Sequence, residues 1–206
     1  GALLSTQVTA LTTDQAAQLT SVQTLGITTS QVGGLESSDL NKLTTNAFAA
    51  LTTGVASNLT SVQVGALQPG QVAALTTGQA NALTATQTVG LTTAQTSSLQ
   101  TLALSKLTTS AFEAIGTGVV AGLSSDQVVS LTSAEVSALT TAQAGALTSV
   151  QTLGITTSQV GGLESGDLNK LTTNAFASLT TAVVSLLSSD QVNALRTEQV
   201  AALTAG

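Results

Sequence analysis

From Leu3 to Leu203 every eighth residue is leucine or isoleucine without a gap, and only Ile27, Ile115 and Ile155 depart from leucine. The chain is therefore 25 consecutive octapeptides, residues 3–202, in a total of 206 residues. A strict short period predicts one small structural element used over and over, with each copy too small to bury its apolar face alone. A typical unit reads Leu75-Thr76-Thr77-Gly78-Gln79-Ala80-Asn81-Ala82.

With the aliphatic residue as position one, position two is Ser or Thr in 18 of the 25 units and position five is Gln or Glu in 16. That spacing is a capping box: the hydroxyl at the N-cap accepts from the backbone N–H three residues on, and the Gln side chain returns to the N-cap N–H. The same register places the leucine and position six, always Val, Ala, Leu, Phe or Thr, at the two ends of a hydrophobic staple. Pro69, the single proline, falls at the first helical position, where its missing N–H costs nothing. Glycine never occupies positions one, three, five or six. In Gly33-Gly34 and Gly161-Gly162 it is expected to end a helix or to let backbones approach. Each octad thus predicts a helix of about one and a half turns, closed where the next leucine begins a new cap. Because position three is Ser or Thr in 23 units, the cap could instead sit one residue later.

Two other folds compete. One continuous helix fails because an eight-residue repeat drifts by about 80° per unit around the axis, and paired β-branched threonines oppose it. A parallel β-solenoid suits Thr and Val, but positions one, six and eight have mixed parity, and Ala and Gln are poor strand residues. The expectation is an all-α solenoid, one capped helix per octad, as a single array over residues 1–206, with the β-solenoid as its alternative. Its stability must come from stacking, since helices this short are marginal alone. A buried leucine contributes roughly 1.5–3 kcal/mol, and the ladder supplies one per unit.

A longer period overlies the first. Phe48, Phe112 and Phe176 are 64 residues apart, as are Lys42, Lys106 and Lys170, and corresponding blocks open near residues 19, 83 and 147. Residues 19–53 and 147–181 differ only at Ser38/Gly166 and Ala50/Ser178, the mark of duplication. If the 64-residue period is geometric, it calls for an even number of octads per coil. The phenylalanine octads replace Gln by Ala47, Ala111 and Ala175, and Phe is expected to fill a wider point of the core there.

Composition narrows the function. Only 7% of residues are charged, the net charge is −6, and the chain has no Cys, His, Met, Trp or Tyr. Lys42, Lys106, Lys170 and Arg196 are scattered, which argues against nucleic acid. Thr, Ser or Gln interrupts every octad, so no membrane span is expected, and no signal-like segment opens the chain. Catalysis would have to use carboxylates, hydroxyls or three lysines. The only tight acidic pairs, Glu36/Asp39 and Glu164/Asp167, replace Thr and Gln at positions two and five. They read as helix-start electrostatics, with Lys42 or Lys170 three residues beyond the Asp. Two carboxylates fall short of a calcium site, and a glycosidase pair is contradicted by Gln100 and Ala103 in the middle block. No catalytic, cofactor or metal residue is assigned. The threonine rows do not by themselves indicate an ice-binding plane, and Asn58-Leu59-Thr60 is a glycosylation sequon only in a suitable host.

Through units such as Leu91-Thr92-Thr93-Ala94-Gln95 and Leu139-Thr140-Thr141-Ala142-Gln143-Ala144-Gly145-Ala146, residues 3–203 resemble the tandem arrays of giant bacterial secreted or surface proteins of adhesin type. That resemblance implies an extracellular or cell-surface stalk or fibre. The haem role sometimes attached to such proteins lacks its usual ligands here. Leu67-Gln68-Pro69-Gly70-Gln71-Val72 also looks like the start of a transcription-activator-like effector repeat, without that repeat's second helix, base-reading loop or basic charge. The function expected is non-enzymatic: a structural segment that extends, spaces or self-associates, end to end or laterally. The alternative is an adhesin scaffold presenting Thr, Gln and Asn to a glycan or protein.

Overall fold

A computed structural model describes residues 4–203, and among them it contains 24 α-helices of four to seven residues and one 3-10 helix, Val160–Gly162. There is one helical element per octad and no strand among the described residues. The all-α solenoid is therefore the fold, and the β-solenoid alternative is overturned. The physical reason is the capping chemistry. In the octad starting at Leu75, Thr76 has an extended ψ of 158° and its hydroxyl accepts from the Gln79 N–H. Gln79 Oε1 in turn accepts from the Thr76 N–H at 2.9 Å. The cap sits at position two throughout such units, and Pro69 is at the first position of the helix Pro69–Ala73.

Helices end by a common device. The N–H of each new leucine bonds back three residues, as Leu75 does to Val72 O at 3.2 Å, tightening the last turn before the chain turns the corner. Among the described residues none, glycine included, has positive φ. The glycines therefore do not act as left-handed helix stops. Some serve the other expected role, close approach. A Cβ on Gly90 would press into the carbonyl oxygen of Ser61 in the adjoining coil. Gly90→Ala is expected to cost about 1–3 kcal/mol in urea unfolding, as overpacking does. Gly118→Ala, with nothing within 4 Å of its added Cβ, is expected to gain about 0.4–1 kcal/mol.

The contacts divide the chain into two compact units, Gly1–Ile115 and Gly116–Gly206. Each is built the same way. In the first, Ser61–Gly65 packs on Ala85–Thr88, Pro69–Ala73 on Thr93–Ser98, and Thr53–Ala56 on Thr77–Ala82. In the second, Ser125–Ser130 packs on Ser149–Leu153 and Thr141–Gly145 on Ser165–Lys170. Every one of these pairs is three octads apart, so a coil is three helices and 24 residues. This corrects the expectation of an even number of octads per coil. The 64-residue period is not a whole number of 24-residue coils, and it carries duplication history rather than coil geometry.

The core of each unit is the aliphatic ladder together with position six. Leu35, Leu43, Leu51 and Leu67 are at most 5% exposed in the first unit, and Leu147, Leu163 and Leu171 at most 3% in the second. Phe48, Phe112 and Phe176 are at most 1% exposed, so they fill core space as expected.

Candidate functional site

The feature that sequence alone did not reveal lies at position five. From Gln31 onward its glutamines are buried, and Gln71, Gln79 and Gln159, at 1% exposure, each work in two directions. Gln71 Oε1 accepts from the Gln68 N–H of its own cap, while Nε2 donates to Leu40 O at 2.7 Å and Leu43 O at 2.9 Å, both in the coil beneath. Gln63, Gln87 and Gln95 repeat this in the first unit, and Gln151, Gln159, Gln191 and Gln199 in the second, always to carbonyls 31 and 28 residues earlier. These carbonyls belong to position six and to the next leucine, the corner where the chain leaves one helix for another. A buried corner carbonyl needs a donor, and the amide supplies it. Helix start and coil stacking thus share one side chain.

Nine octads lack Gln or Glu at position five, and they fall in three runs of three, starting at Leu35, Leu99 and Leu163. Each run equals one coil in length. In its central octad Phe takes position six and Ala position five, and a bond from beneath replaces the amide. Thr24 Oγ1 donates to Ala47 O at 2.7 Å, Thr88 to Ala111 O at 2.6 Å, and Thr152 to Ala175 O at 2.7 Å.

The acidic pairs open the first and third of these runs. Glu36 and Glu164 are exposed N-caps, whereas Asp39 and Asp167 are 3% and 1% exposed, in the inward position that Gln holds elsewhere. Lys42 and Lys170 are exposed while Asp39 and Asp167 are buried, and no Asp–Lys ion pair forms here among the described residues. Burial, then the charge of Glu164, pushes the Asp167 carboxyl up to about 6, opposed by its hydrogen bond with the Glu164 backbone; Oδ2 has no hydrogen-bond partner. Burial and then Glu36 raise Asp39 as well. A carboxyl whose folded value lies above its ordinary 3.8 contributes stability below that value and loses it as pH rises through about 6. The second unit is therefore expected to be more stable at pH 5 than at pH 7 through this group. Asp167→Asn should flatten that slope and raise stability at pH 7 by about 1–2 kcal/mol, allowing for screening of the exposed Glu164. Thermal unfolding across pH checks both.

No group of three or more His, Cys, Asp or Glu suited to a metal occurs among the described residues. The threonine hydroxyls at position two are occupied as caps, as with Thr60, whose Oγ1 accepts from the Gln63 N–H at 3.2 Å. Many outward amides are also engaged: Asn41 donates to Ala66 O at 2.6 Å, Asn81 to Lys106 O at 3.0 Å, and Asn169 to Ala194 O at 2.8 Å. What the arrangement does chemically is hold coil to coil. No described helix is long and apolar enough to cross a membrane.

A family model described as the ALTTAQ repeat matches residues 160–205. The same six letters stand in this sequence at residues 138–143. No curated protein and no solved structure matches the chain.

Proposed function

We propose that this chain is a non-enzymatic structural segment of an extracellular or cell-surface fibre, whose role is extension and spacing and whose copies associate end to end. One observation carries the reading: the same Gln–carbonyl seam joins successive coils in each unit, so that length is added by repeating one interface. The resemblance to tandem arrays of bacterial surface proteins supports the location. A segment of this kind is expected to be extended in dilute solution. Small-angle scattering and negative-stain microscopy test it, and a compact particle would end the proposal. The adhesin alternative relies on free Thr, Gln and Asn groups, many of which are spent internally. Clear, competable hits on a glycan array would restore it.

A further inference from the structure

Asp167 stands at position five of its octad, in the place of the seam glutamine. The stacking register there is the ordinary one: a Cβ added to Gly166 would lie 3.5 Å from Thr141 Cγ2, just as one added to Gly70 would lie 3.5 Å from Thr45 Cγ2. Beside Gly70, Gln71 Nε2 donates to Leu40 O and Leu43 O, 31 and 28 residues back. The same steps from Asp167 lead to Val136 and Leu139, at the corner between the helices Ser133–Ser137 and Thr141–Gly145. Among the described residues no side chain donates to either carbonyl.

Asp167 is 1% exposed, and its Oδ2 is buried without a hydrogen-bond partner. Its bond to the Glu164 backbone therefore falls to Oδ1, which does what Gln71 Oε1 does in its own cap. Oδ2 is left in the place of the amide nitrogen, an acceptor turned toward two acceptors. That meeting is repulsive while the carboxyl is ionised and attractive once it carries a proton. A metal ion is the poorer occupant, since calcium takes six or more oxygens and one carboxyl oxygen with two carbonyls supplies only three.

We propose that Asp167 is a proton-operated latch between coils: its carboxyl carries a proton on Oδ2 and donates it as a hydrogen bond to the Val136–Leu139 corner, so that acid closes this seam and ionisation loosens it. Among the described residues no cation pairs with Asp167 to hold the charged form. The helices packed on Ser165–Lys170 are Thr141–Gly145, which has no titratable residue, and Ser189–Asn193, whose Asp190 is exposed. On its own octad Glu164 is exposed and adds negative charge, and Lys170 is exposed at the far end. Glu135, before the corner, accepts from the Thr132 N–H. Gln199 brings up one more helix, where Glu198 is exposed and Arg196 donates to Leu171 O. Burial and then Glu164 raise the carboxyl to about 6. The latch therefore stabilises in full below the ordinary 3.8 and is lost as pH rises through about 6.

Hydrogen exchange of the 206-residue chain, read by mass spectrometry from pH 5 to 8 and corrected for intrinsic rates, tests the latch at residues 163–170. Protection there should fall roughly tenfold or more across that range, while residues 99–106, with Ala103 at position five, stay level. Asp167→Asn, whose amide donates at every pH, should keep protection level. Two donor-free variants, Asp167→Leu of like volume and Asp167→Ala with the residue that the octad from Leu99 uses, should both protect about tenfold less than Asn. Circular dichroism verifies that the helices remain. Either donor-free variant protecting as well as Asn would mean that burial alone sets the pH dependence, and would overturn the proposal. So would level protection in the native chain. Protection regained at pH 8 with calcium chloride, but not with sodium chloride of equal ionic strength, would put a cation in the proton's place and overturn it as well.

Discussion

Gln87→Ala is expected to destabilise the first unit by about 3 kcal/mol or more in urea or thermal unfolding, far beyond the loss of an ordinary cap. Gln87 is 2% exposed. Its Oε1 accepts from the Thr84 N–H at 2.8 Å and hydroxyl at 3.1 Å, and its Nε2 donates to Ala56 O at 2.8 Å and Leu59 O at 2.7 Å. Alanine leaves the Thr84 N–H and two corner carbonyls without this partner, at about 1–3 kcal/mol for each buried group left unsatisfied, and opens a cavity between coils. Gln87→Glu separates the two functions. A carboxylate still caps, as Glu135 Oε2 does with the Thr132 N–H at 2.7 Å, but it has no donor for the coil beneath. At neutral pH this variant should lose nearly as much as alanine. On acidification it should recover, because a protonated carboxyl regains a donor and its raised folded pKa makes stability fall as pH rises. If Gln87→Ala costs no more than the ~1 kcal/mol of a lost helix cap, the inter-coil bonds carry no net energy.

The capping half of this residue was legible in the sequence and the stacking half was not, for a physical reason. A capping box is local, written within four residues, so Thr-x-x-Gln announces it directly. The donor side of the same amide reaches a carbonyl 31 residues away, and no periodicity of a single octad encodes that. The coil length was nevertheless present in another form. Gln or Glu is missing from position five in three consecutive octads at a time, which is one coil without its seam. The 64-residue period is the more conspicuous of the two, because Phe and Lys mark it plainly. It suggested even numbers of octads, whereas repeated duplication needs no commensurate geometry. The same gap explains Asp39 and Asp167. Read locally they are first-turn acids suited to the helix dipole; only the fold shows that position five faces the neighbouring coil and buries them.

Phe112→Ala is expected to cost about 3–5 kcal/mol, the range for deleting a buried aromatic, because Phe112 is fully buried and belongs to a run of octads that lacks glutamine at position five. Ala111-Phe112 carries the same number of side-chain heavy atoms as the usual Gln-Val pair, moved from position five to position six. Core volume is conserved while the amide is given up, and Thr88 Oγ1 donates to Ala111 O at 2.6 Å from the coil beneath. Two further variants separate volume from bonding. Thr88→Val keeps the shape and removes that hydrogen bond, and should cost about 1 kcal/mol. Ala111→Gln with Phe112→Val restores the commoner octad and should recover most of the stability lost in Phe112→Ala, since the octad then regains both bulk and a coil-facing amide. Recovery by the double variant would show that Phe-Ala and Val-Gln are interchangeable solutions to one packing problem. A double variant as unstable as Phe112→Ala would instead mean that the coil from Leu99 is shaped around its aromatic ring, and that the three phenylalanine coils are specialised sites rather than variants of one repeat.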